Sequence, residues 1–481
     1  MSITLKLGDG RQFMSKTLLK LTTSLVAGAF IATAATAADT YGPFPVTVKG
    51  YEGDKTNSVS YTGQIARHAL HDSLKKAAAK GDGGANAAEV EAMLLAYFNG
   101  SDEDLAILAP ASKDGFPVKQ STVNEISKGK NISGKFYNGA MPAWPGNVSG
   151  QEAVLHMIKH AAQSNGGFDA ENGYDWGQII SKYTMGAMMY NQAVDNYLDE
   201  KLEADNKPND KPYKDGAYYT GKEHSWDEAF GYWGGPAHTM SLTPKQAYGI
   251  AKGKDLAAAD ADGDGVVDLK SEHVFGPAYY AAGADKGGTQ STNYMHTIMQ
   301  AFIDGRQLIA DAKGEALTDA QRSELKAYAE VIESNWEKVL AEATFKYAGS
   351  VYKDIAKMGS LEGEELAKAY RNYVKHWGEL KGFAMALQTG KNNLGGTATE
   401  LNKLIGYGPV TLDNTYVTGI DADGNFLRER RATWSDYQLQ MLQAQKLLKD
   451  TFGLASLTND ATADLESLAG KLSSDSNAET D

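Results

Sequence analysis

A seven-residue pattern that occurs twice constrains the fold of this chain more than any other feature. Residues 226–232 (WDEAFGY) and 377–383 (WGELKGF) both read W-x-E-x-x-G-aromatic. Wound as helices, both copies are apolar around most of their circumference, which is typical of buried helices. Each helix would therefore carry one glutamate, Glu228 or Glu379, into the interior. A buried charge is tolerated only with a partner or a metal.

A histidine precedes each glutamate on the same predicted helix face. His224 lies four residues before Glu228, and His376 lies three residues before Glu379, the spacings at which helical side chains are neighbours. Two interpretations are open. Either each glutamate caps a helix or pairs with an interior arginine, or the two His/Glu faces meet across a pseudo-two-fold axis and form a metal or small-ligand site. The duplication favours the shared site, because an ion pair requires no repeat.

An acidic loop is the strongest local motif. Residues 260–272 (DADGDGVVDLKSE) place carboxylates at loop positions 1, 3, 5 and 9 around a glycine at position 6, as calcium loops of the EF-hand kind do. Position 12 departs from that pattern, because Ser271 stands there and the glutamate follows one residue later. The alternative is a solvated acidic turn. The predicted calcium ligands are Asp260, Asp262, Asp264, the Val266 carbonyl, Asp268 and Glu272.

Residues 1–37 are predicted to be a signal peptide. A short basic stretch after Met14 leads into a mainly apolar run from Leu18 to Ile31, and residues 35–37 form an A-x-A cleavage pattern. Met1 and Met14 are both candidates for the start of translation. The sequence contains no cysteine, which excludes disulfides, thiolate metal sites and a lipid-bearing cysteine. The mature protein is expected to be periplasmic or secreted.

The charge of the chain excludes two classes of partner. Its formal net charge is −14, from 61 acidic residues against 47 lysines and arginines. Such a chain repels nucleic acid and anionic lipid and attracts cations. Beyond the predicted signal peptide, no window approaches a membrane span, so stable membrane insertion is not expected.

Helical periodicity and glycine breaks divide the rest of the chain. The predicted fold class is all-α, with two pseudo-symmetric helical-bundle halves and the calcium-type loop inserted after the first W-x-E copy. The predicted segments are 38–57 as an extended lead-in, 58–255 as the first half, 256–288 as the acidic insertion, 289–455 as the second half and 456–481 as a flexible tail.

Three strings carry a resemblance to known proteins. VSYTGQIAR (59–67), WDEAFGYWG (226–234) and HWGELKGFAMALQ (376–388) resemble a family of secreted bacterial proteins of unknown function. More distantly, residues 376–379 (HWGE) are similar to the His-x-x-Glu motif of the imelysins, which are two-bundle exported proteins linked to iron uptake and nominally called peptidases. His224 and Glu228 match that motif only with one extra residue. The peptidase label transfers poorly, because no HExxH supplies a zinc pair and a general base.

The residues and the resemblance together predict an exported metal-binding protein with a role in iron uptake. Its metal ions would be calcium in the acidic loop and iron, or another transition metal, at the His/Glu pairs. An outer-membrane or periplasmic uptake component is the expected partner. A metal-dependent peptidase or hydrolase is one alternative, and it would need a glutamate of raised pKa beside an open metal position. A structural interaction protein stabilised by calcium is the other.

Overall fold

The chain is mostly helical over the residues that the computed structural model describes, which are 39–478 except 205, 392, 431 and 432. The signal peptide predicted for residues 1–37 lies outside the described residues. The α-helices are α1 (Thr62–Ala77), α2 (Ala87–Asn99), α3 (Val123–Ile126), α4 (Gly150–Gln163), α5 (Trp176–Thr184), α6 (Gly221–Trp233), α7 (Pro244–Ala251), α8 (Gly276–Gly287), α9 (Tyr294–Asp311), α10 (Asp319–Met358), α11 (Gly363–Ala386), α12 (Gly395–Ile405), α13 (Trp434–Phe452) and α14 (Leu465–Ala478). A π-helical segment, Met185–Tyr197, continues α5.

Two small sheets accompany the helices, so the fold is mostly helical rather than all-α. Strands β1 (Phe168–Asp169) and β2 (Tyr174–Asp175) pair antiparallel, and so do β3 (Thr415–Ile420) and β4 (Phe426–Arg430). The remaining helical pieces are short 3₁₀ turns: Ala78–Lys80, Ser133–Lys135, Glu200–Leu202, Thr239–Ser241, Leu256–Ala258, Leu387–Thr389 and Thr462–Asp464.

The two W-x-E copies lie on buried helices, α6 and α11. Trp226 and Trp377 are fully buried, and both indole N–H groups are satisfied. Trp226 donates to the carbonyl of Phe302 at 2.8 Å, and Trp377 donates to the hydroxyl of Tyr437 at 2.6 Å. Burial of these rings is paired with hydrogen bonding, which avoids the cost of an isolated polar group.

The shared glycine of the pattern lets each helix lie against an earlier one. A Cβ on Gly231 of α6 would sit 2.7 Å from the Cβ of Gln64 on α1, and a Cβ on Gly382 of α11 would sit 2.6 Å from the Cβ of Lys182 on α5. Any side chain at these two positions would therefore push the helices apart. The pattern thus sets two close helix pairs, α1 with α6 and α5 with α11.

Helix α6 fully buries two acids, Glu223 and Asp227, and Asp227 is the variable position of the pattern. Arg306, which is fully buried on α9, donates from Nε to Asp227 Oδ1 at 2.9 Å and from Nη1 to Glu223 Oε1 at 3.3 Å. Tyr41 donates to the same Asp227 oxygen at 2.7 Å. An interior arginine pair was one interpretation for Glu228, but the arginine meets the neighbouring residue instead. The predicted lead-in is also packed, since Tyr41 stacks on Phe230.

The tail predicted to be flexible from residue 456 begins with a segment that is packed against the helices. Ser456 and Leu457 are buried, and the Glu342 carboxylate accepts the backbone N–H groups of Ala455, Ser456 and Leu457 at 2.7–2.9 Å. Burial of a carboxylate is favourable only with such partners. The Ser/Asp-rich composition of the tail gave no sign of these hydrogen bonds to Glu342. Helix α14 follows this segment. The described residues all belong to one compact unit.

Candidate functional site

A large cleft opens between α1, α5, α10 and α11 and the segment that follows α7. Its volume is about 690 Å³, which is the size of a small-molecule site. Eight cationic side chains line it against three carboxylates, Asp72, Asp175 and Glu379. We call it the lysine cleft. Its cationic residues are Lys75, Lys76, Lys113, Lys182, Lys252, Lys346, Arg371 and Lys375.

Lys182 and Glu379 lie at the buried floor of the lysine cleft. Their side chains are 2% and 9% exposed, and 3.9 Å separates Lys182 Nζ from Glu379 Oε1. The ammonium group also donates to Gln178 Oε1 at 3.0 Å. Burial, followed by the charge of Lys75, holds the pKa of Lys182 well below its usual value, although Glu379 opposes that shift.

Phenol groups surround Glu379 on its other side. Tyr347 of α10 donates a hydrogen bond to Glu379 Oε1 at 3.0 Å, and Tyr280 of α8 interacts with Tyr347 in turn. Burial, then the Glu379 charge, raises the pKa of Tyr347 far above its ordinary value. Tyr347 is therefore a neutral hydrogen-bond donor at physiological pH.

A second tyrosine pair lies at the side of the lysine cleft. Burial alone would raise the pKa of Tyr248, but a hydrogen bond from Tyr279 and the charges of nearby lysines outweigh it, so the pKa is lowered. The Lys252 ammonium stands 5.6 Å from the Tyr248 ring centre and 5.0 Å from that of Tyr279. Burial in turn lowers the pKa of Lys252. Positive charge is thus crowded along this wall.

His376 lines the same cleft but is already paired. Its Nδ1 lies 2.6 Å from Asp354 Oδ2, and its ring stands 6.0 Å from that of Tyr347. The imidazole thus faces Asp354 on α10, the preceding helix, and not Glu379 on its own helix. Helical spacing places His376 and Glu379 in the same cleft, but their side chains bind different partners.

The first His/Glu pair has its own surroundings. Gln64 Nε2 donates to Glu228 Oε1 at 2.8 Å, and His224 Nε2 lies 3.7 Å from Glu228 Oε2. Burial lowers the pKa of His224. Burial also lowers the pKa of Lys201 to about 8, and the Glu228 charge works against that shift.

The two pairs do not form a shared site in this structure. The side chains that contact Glu228 differ from those that contact Glu379, and the lysine cleft includes Glu379 and His376 without Glu228 or His224. Among the described residues, the cluster of three His, Asp or Glu side chains with ligand atoms within 4.8 Å of one another lies elsewhere, in the acidic loop. The helical phase placed Glu379 in the interior, but Glu228 is only partly buried, and the phase did not identify the neighbours of either glutamate.

That cluster consists of Asp260, Asp262 and Asp264. Their carboxylates also organise the loop, because Asp260 accepts the backbone N–H groups of Gly263, Asp264 and Gly265 at 2.9–3.1 Å. These oxygens are hard donors of the kind that calcium prefers. The carbonyl of Val266 was the predicted ligand at position 7.

The last two predicted ligands are engaged with protein groups. Gln120 donates to Asp268 Oδ1 at 2.7 Å, and Lys119 Nζ lies 3.3 Å from Asp268 Oδ2. The carboxylate of Glu272 accepts the N–H groups of Ala261 and Asp268 at 2.9 and 2.7 Å. Glu272 therefore closes the loop upon itself, one residue later than the standard position, and its carboxylate interacts with Asp262 of the cluster.

The residues that sequence reasoning missed are the lysines of the cleft. Lys182 and Lys346 each precede a tyrosine, and the chain therefore offers a signal in the two Lys-Tyr pairs at 182–183 and 346–347. A second signal is the repeated Gly-Gln-Ile string at 63–65 and 177–179, on the two helices that the W-x-E helices contact. Both repeats lie on helices that line the lysine cleft, which are α1, α5 and α10.

The fold and cleft define a class: a mostly helical protein with a buried lysine, glutamate and tyrosine at the floor of a cationic cleft. Within the described residues, no helix has the length and apolar character needed to cross a membrane. The chain belongs to the family described as Domain of unknown function (DUF4856), whose model matches residues 50–406. The expectation of a family without known function is thereby confirmed. No curated protein and no solved structure matches the chain.

Proposed function

We propose that this is an exported binding protein that holds a small anionic ligand in the lysine cleft. The observation that carries the proposal is the reversal of charge inside the cleft. Eight lysines and arginines face three carboxylates there, whereas acids outnumber lysines and arginines 61 to 47 in the whole chain. A cleft lined by one sign of charge focuses the field and raises the local concentration of the opposite ion.

The lowered lysine pKa values support the same conclusion. Burial is the largest cause for both Lys182 and Lys252, and Lys75 lowers both further. A bound anion would relieve that crowding and raise both pKa values, because an opposite charge nearby favours the charged form of a lysine. Ligand binding should therefore take up protons. Proton uptake distinguishes an anion site from an apolar site that happens to contain lysines.

Iron uptake, the role predicted from the imelysin resemblance, fits this proposal if iron arrives as an anionic chelate. Glu379 and His376 line the cleft, but His376 is held by Asp354. Carboxylate-bearing chelates would be recognised by the lysines instead. A metal-dependent hydrolase stays the alternative; it would need a further ligand beside Glu379.

Isothermal titration tests the main proposal with citrate, ferric citrate and inorganic phosphate as probes and glucose as the neutral control. Titrations in buffers of different ionisation enthalpy give the number of protons taken up. We expect citrate or phosphate to bind with proton uptake and with affinity that falls as salt rises. Equal affinity for glucose, or no heat with any anion, would overturn the proposal. A clear preference for ferric citrate over citrate would support the iron role.

A pair of charge reversals serves as the matched control. Lys252→Glu reverses a charge that lines the cleft, and Lys159→Glu reverses an exposed charge on α4 outside it. Both variants change the net charge equally. Only Lys252→Glu should weaken anion binding, by roughly tenfold or more for a change on the order of 1–2 kcal/mol.

Calcium binding by the acidic loop is a second proposed function. It rests on the proximity of the Asp260, Asp262 and Asp264 carboxylates. Calcium should raise the melting temperature, because ion present at a hundred times Kd stabilises the folded state by about 2.7 kcal/mol. The double substitution Asp260→Ala, Asp264→Ala should abolish this stabilisation. Lys119→Ala should tighten binding, because Lys119 Nζ lies 3.9 Å from Asp264 Oδ2 and competes with the cation. Identical melting curves in calcium and in chelator would exclude a calcium site.

The pseudo-symmetric arrangement of two halves also stays a proposal. The matched contacts of Gly231 and Gly382, each against an earlier helix that contains Gly-Gln-Ile, support it. If the halves descend from one duplicated unit, the Glu228 region is the counterpart of the lysine cleft. Its lysines with lowered pKa, among them Lys135 and Lys201, agree with that relationship.

A further inference from the structure

Lys182 differs from the other buried lysines in what surrounds its amine. Lys381 is buried and donates to the carbonyl of Gly406 at 2.6 Å, away from the cleft. Lys222 donates to three backbone carbonyls at 2.6–3.2 Å. Both amines are thus held by fixed acceptors. Lys182 instead lines the lysine cleft, and among the hydrogen bonds of the described residues its acceptor is the side chain of Gln178.

The neighbours of Lys182 are those that activate an amine as a nucleophile. A lysine becomes nucleophilic when it is desolvated or placed beside another cation, because its neutral form is then populated. Lys182 is 2% exposed and interacts with Lys75 of α1. The Tyr280 ring lies 5.8 Å from its Nζ and shields it from water on that side. Glu379, 3.9 Å away, is placed to hold a proton in transit.

We propose that Lys182 forms an imine with the carbonyl carbon of a ligand that also bears an anionic group, such as a 2-oxo acid. The inference rests on the proposed function, because the cationic lining would hold the carboxylate while the buried amine meets the carbonyl. The lysines at the cleft wall, Lys75 and Lys252, are the groups that would pair with that carboxylate.

The reaction balances without an added reactant. The lone pair of Nζ attacks the carbonyl carbon, a C–N bond forms, and the carbonyl π electrons pass to oxygen, which takes up a proton. The C–O bond then breaks as a second proton reaches that oxygen, and water leaves. Both hydrogens of the neutral amine end in the water, and a C=N bond joins Lys182 to the ligand. Tyr347 and Glu379, hydrogen-bonded at 3.0 Å, form the proton-holding pair beside this step.

Trapping with borohydride tests the proposal. The full-length mature protein is incubated with pyruvate and sodium cyanoborohydride, which reduces an imine to a stable secondary amine, and the modified lysines are located by peptide mass spectrometry. We expect modification at Lys182 to exceed that at any other lysine by at least about tenfold, as expected for an activated amine. Inorganic phosphate, which competes for the cationic lining, should suppress it. Acetone, which has a carbonyl but no charge, should modify Lys182 far less than pyruvate does.

Two variants give the matched comparison. Lys182→Arg keeps the positive charge but removes the nucleophile, and it should lose the adduct. Lys381→Arg changes a buried lysine outside the cleft, and it should keep the adduct at Lys182. The phosphate competition on the unaltered protein gives the same information if Lys182→Arg fails to fold.

The outcomes separate this inference from the proposed function. Adducts spread evenly over exposed lysines, while titration still shows anion binding with proton uptake, would overturn the imine and leave the anion site standing. Adduct at Lys182 that neither saturates with pyruvate nor responds to phosphate would overturn the link to an anionic ligand. Saturable modification of Lys182 that phosphate suppresses supports both.

Discussion

Lys182 and Glu379 come from helices α5 and α11 and face each other at the floor of the lysine cleft, with 3.9 Å between Nζ and Oε1. The contact is too long for a tight ion pair, and each group has a shorter hydrogen bond to another side chain. A buried pair of this kind contributes little to stability compared with apolar packing. Its geometry is better suited to a site that exchanges protons with a ligand.

The first prediction concerns the pKa of Lys182. Burial, Lys75 and Lys252 all lower it, whereas Glu379 raises it. Glu379→Gln should therefore lower the pKa of Lys182 further. Competitive labelling with acetic anhydride over a pH series, read by mass spectrometry, gives the midpoint for Lys182. Asp354→Asn removes the partner of His376 and should leave the midpoint in place. An upward shift in Glu379→Gln would contradict the arrangement.

The second prediction concerns the buried charge network of α6 and α9. Arg306→Met leaves Asp227 and Glu223 buried without their cation, which should cost about 3–5 kcal/mol of stability. Arg322→Met is the control, because its partner Asp319 is 96% exposed and such pairs contribute about 0–1 kcal/mol. Urea unfolding followed by circular dichroism measures both. Similar losses in the two variants would show that the network is not a major source of stability.

The third prediction concerns the glycine that joins α5 and α11. A Cβ at position 382 would lie 2.6 Å from the Cβ of Lys182 and 2.9 Å from the carbonyl oxygen of Ile179. Gly382→Ala should therefore destabilise the protein by about 1–3 kcal/mol. Gly470→Ala on α14 meets nothing within 4 Å and should be neutral or stabilise by up to about 1 kcal/mol. Thermal unfolding measures the stability of the two variants. If Gly382→Ala leaves stability unchanged, the two helices can separate at this position.

The fourth prediction concerns acid sensitivity. Burial lowers the pKa of His68 and of His273 to about 4, below the unfolded value of about 6.5. The unfolded chain thus binds more protons between these values, so stability falls as pH drops from 6.5 towards 4. Linkage gives about 2 kcal/mol per histidine by pH 5. His68→Gln should reduce the loss measured between pH 7 and pH 5. An unchanged slope would mean that His68 does not titrate as its burial implies.

The sequence was informative where a local pattern determines local structure. The apolar circumference of the two W-x-E segments predicted buried helices, and residues 226 and 377 are fully buried tryptophans. Aspartates alternating around Gly265 predicted a loop whose carboxylates converge, and three of them do. In both cases the residues that decide the outcome lie within one or two turns of each other.

The lysine cleft could not be predicted, because its lysines come from separate elements. Lys75, Lys182 and Lys346 lie on α1, α5 and α10, and a lysine on an amphipathic helix ordinarily faces solvent. The net charge of the whole chain is strongly negative, so it predicted a protein that attracts cations and not anions. Only tertiary packing makes a cationic surface from such residues. The same limit explains Glu228 and Glu379, whose hydrogen-bond partners lie on other helices and could not be predicted.

The pairing of α5 with α11 has a consequence for how the chain acquires its structure. Two hundred residues separate Lys182 from Gly382, which touch in the folded protein. A nascent chain that ends before α11 leaves the side of α5 that packs on α11 uncovered, so this contact forms only after residues 363–386 are available. Contacts of such long range slow folding. Until that contact forms, the partly folded chain exposes apolar surface, which makes it prone to aggregation.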